Sequence, residues 1–165
     1  MSKELNLFDI LQNPAIGVIA IHSFIIGYNN VAKHKEGKSN YPSLNQLFYI
    51  LPIIYDINAM KSVKNELYTT LTENKNLTLE LEERARKMSG QTFECLNLGF
   101  SKLIFKLNKD DFTIEINEIY NKSILDMMKI NIQSLKDIQI YSKRLGNIFA
   151  KKDEKRLQID LKIRF

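Results

Sequence analysis

Two apolar runs without Asp, Glu, Lys or Arg divide the first third of the chain, Pro14 to Tyr28 and Pro42 to Tyr55, each opened by an X-Pro step. In the first, Ile16, Val18, Ile19, Ile21, Phe24, Ile25 and Ile26 surround most of a helical circumference. That pattern predicts a helix enclosed on most sides by other elements. Asn13 is placed to cap it, Pro14 to sit in its first turn, and the helix should run to about Tyr28. Pro42 and Ser43 should start a second buried helix carrying Leu44, Leu47, Phe48, Ile50 and Leu51. Pro52 should kink or end it by removing a donor and clashing one turn back. Leu7, Ile10 and Leu11 suggest a short amphipathic lead-in. Asn29 to Asn40 is polar and is expected to be the least ordered loop.

Beyond the second run the period stays helical. Met60, Val63, Leu67 and Leu71 predict a helix from about Asn58 to Thr72. Leu77, Leu81, Ala85, Met88, Thr92, Cys95 and Gly99 form one stripe of a single long helix. Its outer face carries Glu80 with Arg84, Glu82 with Arg86 and Glu83 with Lys87, pairs worth about 0.3 kcal/mol each. Gly90 and Gly99 are small enough to admit another helix. From Lys102 the period falls to two: Leu103, Phe105 and Leu107, the turn Asn108-Lys109-Asp110-Asp111, then Phe112, Ile114 and Ile116 predict a β-hairpin. Ile119 to Met128 reads ambiguously. Ser134 should cap a helix with the stripe Ile138, Tyr141, Leu145, Ile148 and Phe149. Leu157, Ile159, Leu161, Ile163 and Phe165 alternate with polar residues and predict a half-buried terminal strand.

The fold class expected is mainly α with a small antiparallel β-hairpin, an α+β domain with a winged-helix-like C-terminal half. A single domain over 1–165 is expected, with a buried helical part at 1–76 and the long helix, hairpin, helix and terminal strand at 77–165. A chain of 165 residues buries about 70% of its unfolded surface and needs no staple. The single cysteine, Cys95, leaves no internal disulfide to form. The first residues lack a basic segment followed by an apolar one, and the first apolar run is broken by polar residues. These features predict a cytoplasmic protein that does not enter a membrane.

The net charge is +5, and the cations gather late: Lys143, Arg144, Lys151, Lys152, Lys155 and Arg156. A face of this kind meets an acidic protein surface or a phosphate backbone, although Asp153, Glu154 and Asp160 are interspersed as on any solvated helix. With Leu157, Ile159 and Leu161 of the terminal strand, these residues form the candidate partner or DNA interface. The strand either completes the hairpin into a three-stranded sheet or adds to a partner's sheet.

Residues that could carry chemistry do not assemble along the chain. His22 lies in an apolar helix and His34 in a polar loop, neither with carboxylates at ligand spacing. Cys95 lies on a buried stripe, where a thiol behaves as a small hydrophobe. Gly37-Lys38-Ser39 lacks the earlier glycine and preceding strand of a phosphate-binding loop. No catalytic residue, metal or cofactor is therefore expected.

Asn13-Pro14-Ala15, Gly17, Phe24, Gly27-Tyr28, Pro42, Leu47-Phe48, Ile50-Leu51-Pro52, Arg84-Ala85, Lys143-Arg144-Leu145-Gly146 and Phe149-Ala150 occur in an order that resembles the small middle components of three-component ABC ATPase systems. Lamassu-type anti-phage and anti-plasmid systems are the most similar setting. The resemblance implies a non-catalytic adaptor between an SMC- or Rad50-like ABC ATPase and an effector nuclease, with DNA met through the complex. A small winged-helix-like DNA-binding regulator is the alternative.

Overall fold

The computed structural model describes residues 12–64, 69–71, 78–119 and 133–164. Its elements are α1 (Pro14–Ala32), α2 (Leu44–Leu47), α3 (Ile50–Ile54), α4 (Ile57–Ser62), α5 (Leu81–Lys87), α6 (Ser89–Ser101), β1 (Phe105–Asn108), β2 (Thr113–Ile116), α7 (Gln133–Lys151) and α8 (Glu154–Leu161). The chain is thus mainly α with a two-stranded antiparallel sheet, the class its periodicity predicts. The expected lead-in at Leu7 to Leu11, the stripe residue Leu77 and most of Ile119 to Met128 lie outside the described residues.

Helix α1 is the axis of the fold. Asn13 is extended and its Oδ1 accepts from the amide of Ala15 at 3.0 Å, while Pro14 opens the helix where its missing N–H has no intrahelical use. The helix continues past Tyr28 to Ala32, whose fully buried side chain extends the apolar face by one more turn. It is long and apolar enough to span a membrane by length and composition, yet 67% of its apolar window is buried inside the protein. Its hydrophobic surface is covered by protein, chiefly by α7.

These two helices meet almost backbone to backbone. A Cβ on Gly27 would overlap the carbonyl oxygen of Lys143 and lie 2.8 Å from its carbonyl carbon. A Cβ on Gly146 would overlap the carbonyl oxygen of Phe24 and lie 2.7 Å from the amide nitrogen of Tyr28. One glycine on each helix therefore sets the crossing. Beside it the Phe24 and Phe149 rings stack edge to face, 5.3 Å between centroids, and both side chains are fully buried. Gly17 is closed against Cys95 and Gly99 against the Phe105 ring, which seats the hairpin on α6. Gly90 has nothing near its missing side chain, so of the two glycines expected to admit a neighbour only Gly99 does, and the neighbour is an aromatic ring.

The second apolar run breaks into α2 and α3. Pro52 is the third residue of α3, and the break falls at Phe48 and Tyr49, where the proline ring would meet the carbonyl four residues earlier. The helix is interrupted one turn upstream and then resumes to Ile54. Asp56 caps α4, its Oδ1 accepting from Asn58 and Ala59 at 3.0 Å each. α4 stops at Ser62 because Val63 is extended, so the helix expected from Asn58 to Thr72 is shorter, with residues 69–71 again helical.

The long helix expected from Leu77 to Gly99 is two, α5 and α6, joined at Met88 (φ −94°, ψ 4°). The stripe survives the break: Leu81, Ala85, Thr92, Cys95 and Gly99 are buried, because the bend turns within one residue. Arg84 departs from the surface-pair expectation. It donates to Asp56 Oδ2 at 2.9 Å and to the carbonyl of Pro52 at 3.2 Å, tying α5 to the start of α4. Only Glu83 with Lys87, at 2.8 Å, is an ion pair of the predicted spacing on that face among the described residues.

The hairpin pairs Phe105 with Ile116 and Leu107 with Ile114. Leu103 and Phe112 fall outside the strands in left-handed backbone (φ 56° and 53°), so the alternation expected to include them starts only at Phe105 and Thr113. β2 is covered on its outer edge by residues 42–44: the Ile114 amide donates to the Pro42 carbonyl and the Leu44 amide to the Phe112 carbonyl.

The terminal strand is a correction: residues 154–161 are helix α8. Asp153 Oδ1 accepts from the Arg156 amide at 2.7 Å, Glu154 stands in the first turn, and Arg156 reaches Asp160 one turn on at 3.2 Å. Leu157 and Leu161 point inward at a spacing of four. Lys162 closes the helix in left-handed backbone (φ 54°), and the Ile163 amide returns to the Gln158 carbonyl, burying Ile163. Capping, i,i+4 pairing and the inward placement of Leu157 and Leu161 favour the helix over the alternation here. Ser134 likewise lies within α7 rather than capping it.

Candidate interaction surfaces

The groups able to carry chemistry are absorbed into the packing. His22 is fully buried within α1. Cys95 is 2% exposed beneath Gly17, and burial, aided by the Glu94 carboxylate, pushes its thiol from 9.0 up to about 11. Burial raises the Tyr55 phenol beside it as well. At pH 8 the thiolate is a minor form in a closed site. Native protein should therefore resist iodoacetamide for hours and take up one equivalent per chain in denaturant, as read by intact mass; fast native alkylation would mean that the α1–α6 contact opens. Among the described residues no three His, Cys, Asp or Glu side chains converge as metal ligands do.

The structure separates the residues proposed for partner or DNA contact. Lys143 and Arg144 are exposed on α7, where Arg144 lies over the Tyr141 ring at 5.3 Å. Lys151 and Lys152 stand at the C-terminal end of α7, and Lys155 and Arg156 are exposed on α8. Leu157 and Leu161 are core residues, so of the three apolar positions only Ile159, 67% exposed, can meet a partner.

The end of α7 is built by a loop expected to be disordered. Lys38 Nζ donates to the carbonyls of Ala150, at 2.9 Å, and Lys152, while Lys35 Nζ donates to the Lys151 carbonyl at 2.7 Å. Lys38 also lies 5.4 Å from the Tyr28 ring centre. Two lysines thus cap a helix C-terminus, the favoured site for cations. Burial first, and then Lys35, pull the Lys38 ammonium from 10.5 to about 8, against Asp153 and Glu154. Burial and the Glu154 carboxylate raise the Tyr28 phenol from 10.0 to about 12. The 550 Å³ crevice at this end is lined by Lys35, Lys38, Lys151 and Lys152 and equally by Glu36, Asp111, Asp153 and Glu154. Four cations against four carboxylates make a poor phosphate cradle, because their fields largely cancel.

A second surface was not singled out by the sequence. Phe93, on the outer side of α6, is 52% exposed and stacks edge to face on Phe48, 5.0 Å between centroids. Beside this pair a groove of 690 Å³ runs between the α2–α3 break and the α5–α6 bend, bordered by Tyr49, Ala85, Glu80, Glu82, Glu83, Arg86 and Arg164. The Tyr49 hydroxyl donates to the Arg164 carbonyl at 2.5 Å, drawing the chain end to the groove. The available signal was Phe93 itself, an aromatic off the buried stripe.

The model of the ABC-three component (ABC-3C) system Middle Component 3 family matches residues 1–165. The chain belongs to that family. No curated protein and no solved structure is similar enough to match. As an ABC-3C middle component, the protein is a subunit of an ABC ATPase-based defence system, which agrees with the coarser part of the resemblance seen in its sequence.

Proposed function

We propose that this ABC-3C middle component is a non-catalytic adaptor that holds an SMC- or Rad50-like ABC ATPase and an effector nuclease in one cytoplasmic complex of Lamassu type, directed against phage or plasmid DNA. The family match along the whole chain carries the reading. The enclosed His22 and Cys95 and the exposed Phe93 and Ile159 support it, because an adaptor needs surfaces and not turnover. DNA is met through the complex, and the exposed cations Lys143, Arg144 and Lys155 are available to a duplex held by a partner. The alternative of a winged-helix-like regulator drew on a third strand, and α8 stands in that strand's place.

The test is co-expression of all three components of the system with a tag on the ATPase. The expected result is recovery of the effector only when the middle component is present, with duplex DNA held by the assembly and not by the middle component alone. An effector that binds the ATPase equally well without it would remove the bridging role.

A further inference from the structure

The segment after α1 is attached at two places that are far apart in the chain. Toward its start, Lys35 Nζ donates to the carbonyl of Lys151 at 2.7 Å, and Lys38 Nζ donates to the carbonyls of Ala150, at 2.9 Å, and Lys152. These oxygens belong to the last turn of α7 and to the corner that leads into α8, whose cap is Asp153. Toward its end, the Pro42 carbonyl accepts from the Ile114 amide at 3.0 Å and the Leu44 amide donates to the Phe112 carbonyl at 2.9 Å, with Ser43 bridged to Thr113. Between them Ser39 Oγ reaches Asp111 Oδ2 at 3.4 Å, and the Asn40 carbonyl accepts from Asn29 Nδ2 at 3.2 Å.

Water ordinarily satisfies the open carbonyls of an exposed helix end, and ordering two lysine side chains there costs rotamer freedom that water does not. The hairpin, for its part, is already seated by Phe105 against Gly99 and by the fully buried Ile114. What the two attachments gain from each other lies in their spacing. Only Ser39, Asn40 and Tyr41 separate Lys38 from Pro42. Holding one end keeps the other at high local concentration beside its acceptors, so each attachment lowers the ordering cost of the other.

Both attachments also lead to displayed side chains. α8 presents Lys155 and Ile159, and the hairpin turn presents Phe112, 62% exposed in left-handed backbone. The carbonyl that Leu44 holds is that of Phe112 itself, so this bond helps to fix a strained residue and the direction of its ring.

We propose that residues 35–44 are a strap that couples the α7–α8 corner to the hairpin, so that loosening either end loosens the other. The coupling is a property of this chain alone and does not depend on the adaptor reading.

Amide exchange of the full-length protein, read residue by residue by NMR, tests the strap from both ends. Lys35→Met with Lys38→Met removes the two cations and keeps the side-chain length. It should speed exchange of the Ile114 amide, on the opposite attachment, about tenfold. Leu44→Pro deletes the donor to Phe112 at the first position of α2, where proline is tolerated, and should speed exchange of the Leu157 and Ile163 amides in and after α8. Leu44→Ala loses similar packing but keeps the N–H, and should leave those two amides as in wild type. The Ile21 and Phe24 amides, central in α1, should exchange as in wild type in every variant. Acceleration confined to the substituted end overturns the strap. Acceleration spread equally over α1 overturns it too, because that is a general loss of stability. If Leu44→Pro fails to fold, the lysine variant decides the question by itself.

Discussion

Gly27→Val is expected to lose about 3 kcal/mol of folding stability, at the upper end of what overpacking costs. The added carbon meets the carbonyl of Lys143, and a main-chain carbonyl cannot rotate aside as a flexible side chain would. Relief requires α1 and α7 to separate, which loosens the Phe24–Phe149 stack as well. Even Gly27→Ala should destabilise, reversing the ordinary gain of up to about 1 kcal/mol when alanine replaces glycine in a helix. Gly90→Ala supplies the internal standard: nothing lies within 4 Å of its missing side chain, so there the ordinary gain should appear. Gly146→Ala repeats the clash from the other helix. Because both substitutions force the same separation, the double variant should cost less than the sum of the two. Urea midpoints of the five variants check this, and a Gly27→Ala protein as stable as wild type would show that the helices cross farther apart.

Phe149→Ala should cost about 3–5 kcal/mol, the range for emptying a fully enclosed aromatic site. The hole would open between Phe24 and the end of α7, where Ala150 is also fully buried and Lys38 holds the last carbonyls, so little nearby can collapse into it. Against a total stability of about 5–15 kcal/mol that leaves a marginal protein. The same denaturation series separates the two descriptions of the C-terminal segment. In a half-buried strand Leu157, Ile159 and Leu161 would share one face and cost alike on truncation. In α8, Leu157→Ala and Leu161→Ala should each cost about 2–4 kcal/mol, while Ile159→Ala stays within about 0.5 kcal/mol of wild type.

That segment shows where pattern alone stops. Leu157, Ile159, Leu161 and Ile163 alternate without fault, but Leu157 and Leu161 are also one helical turn apart. Asp153 followed by Glu154, and Arg156 followed by Asp160, are helix signals of equal strength. Which period wins depends on what lies alongside. A strand needs a partner edge, whereas a helix satisfies its own backbone and needs only a place for two leucines. The break at Phe48 and the bend at Met88 were hidden for a related reason. Both keep the apolar stripe in phase, so the hydrophobic pattern reads through them as though the helix were continuous.

The candidate surfaces were legible to different degrees. Lys143, Arg144, Lys155 and Arg156 are exposed, as a late cluster of cations leads one to expect. Lys151 and Lys152 share their crevice with Asp153 and Glu154, which adjoin them in the chain, and with Glu36 and Asp111, which arrive from other parts of it. The groove at Phe93 is assembled from three separated stretches and has no linear signature at all.

Local chemistry by itself determined α1 with its Asn13 cap and Pro14 start, the hairpin, the stripe of α7, the single buried thiol and the family to which the chain belongs. Those depend on residues within a few turns of each other, or on the order of prolines, glycines and apolar residues. Only the tertiary structure decided that Gly27 and Gly146 face one another, that Arg84 and Lys38 tie distant segments, that residues 154–161 form a helix, and that Phe93 is left at the surface. Each of these turns on which groups are brought together across long separations in the chain, and a side chain's neighbours, not its type, set whether it is core, tether or contact.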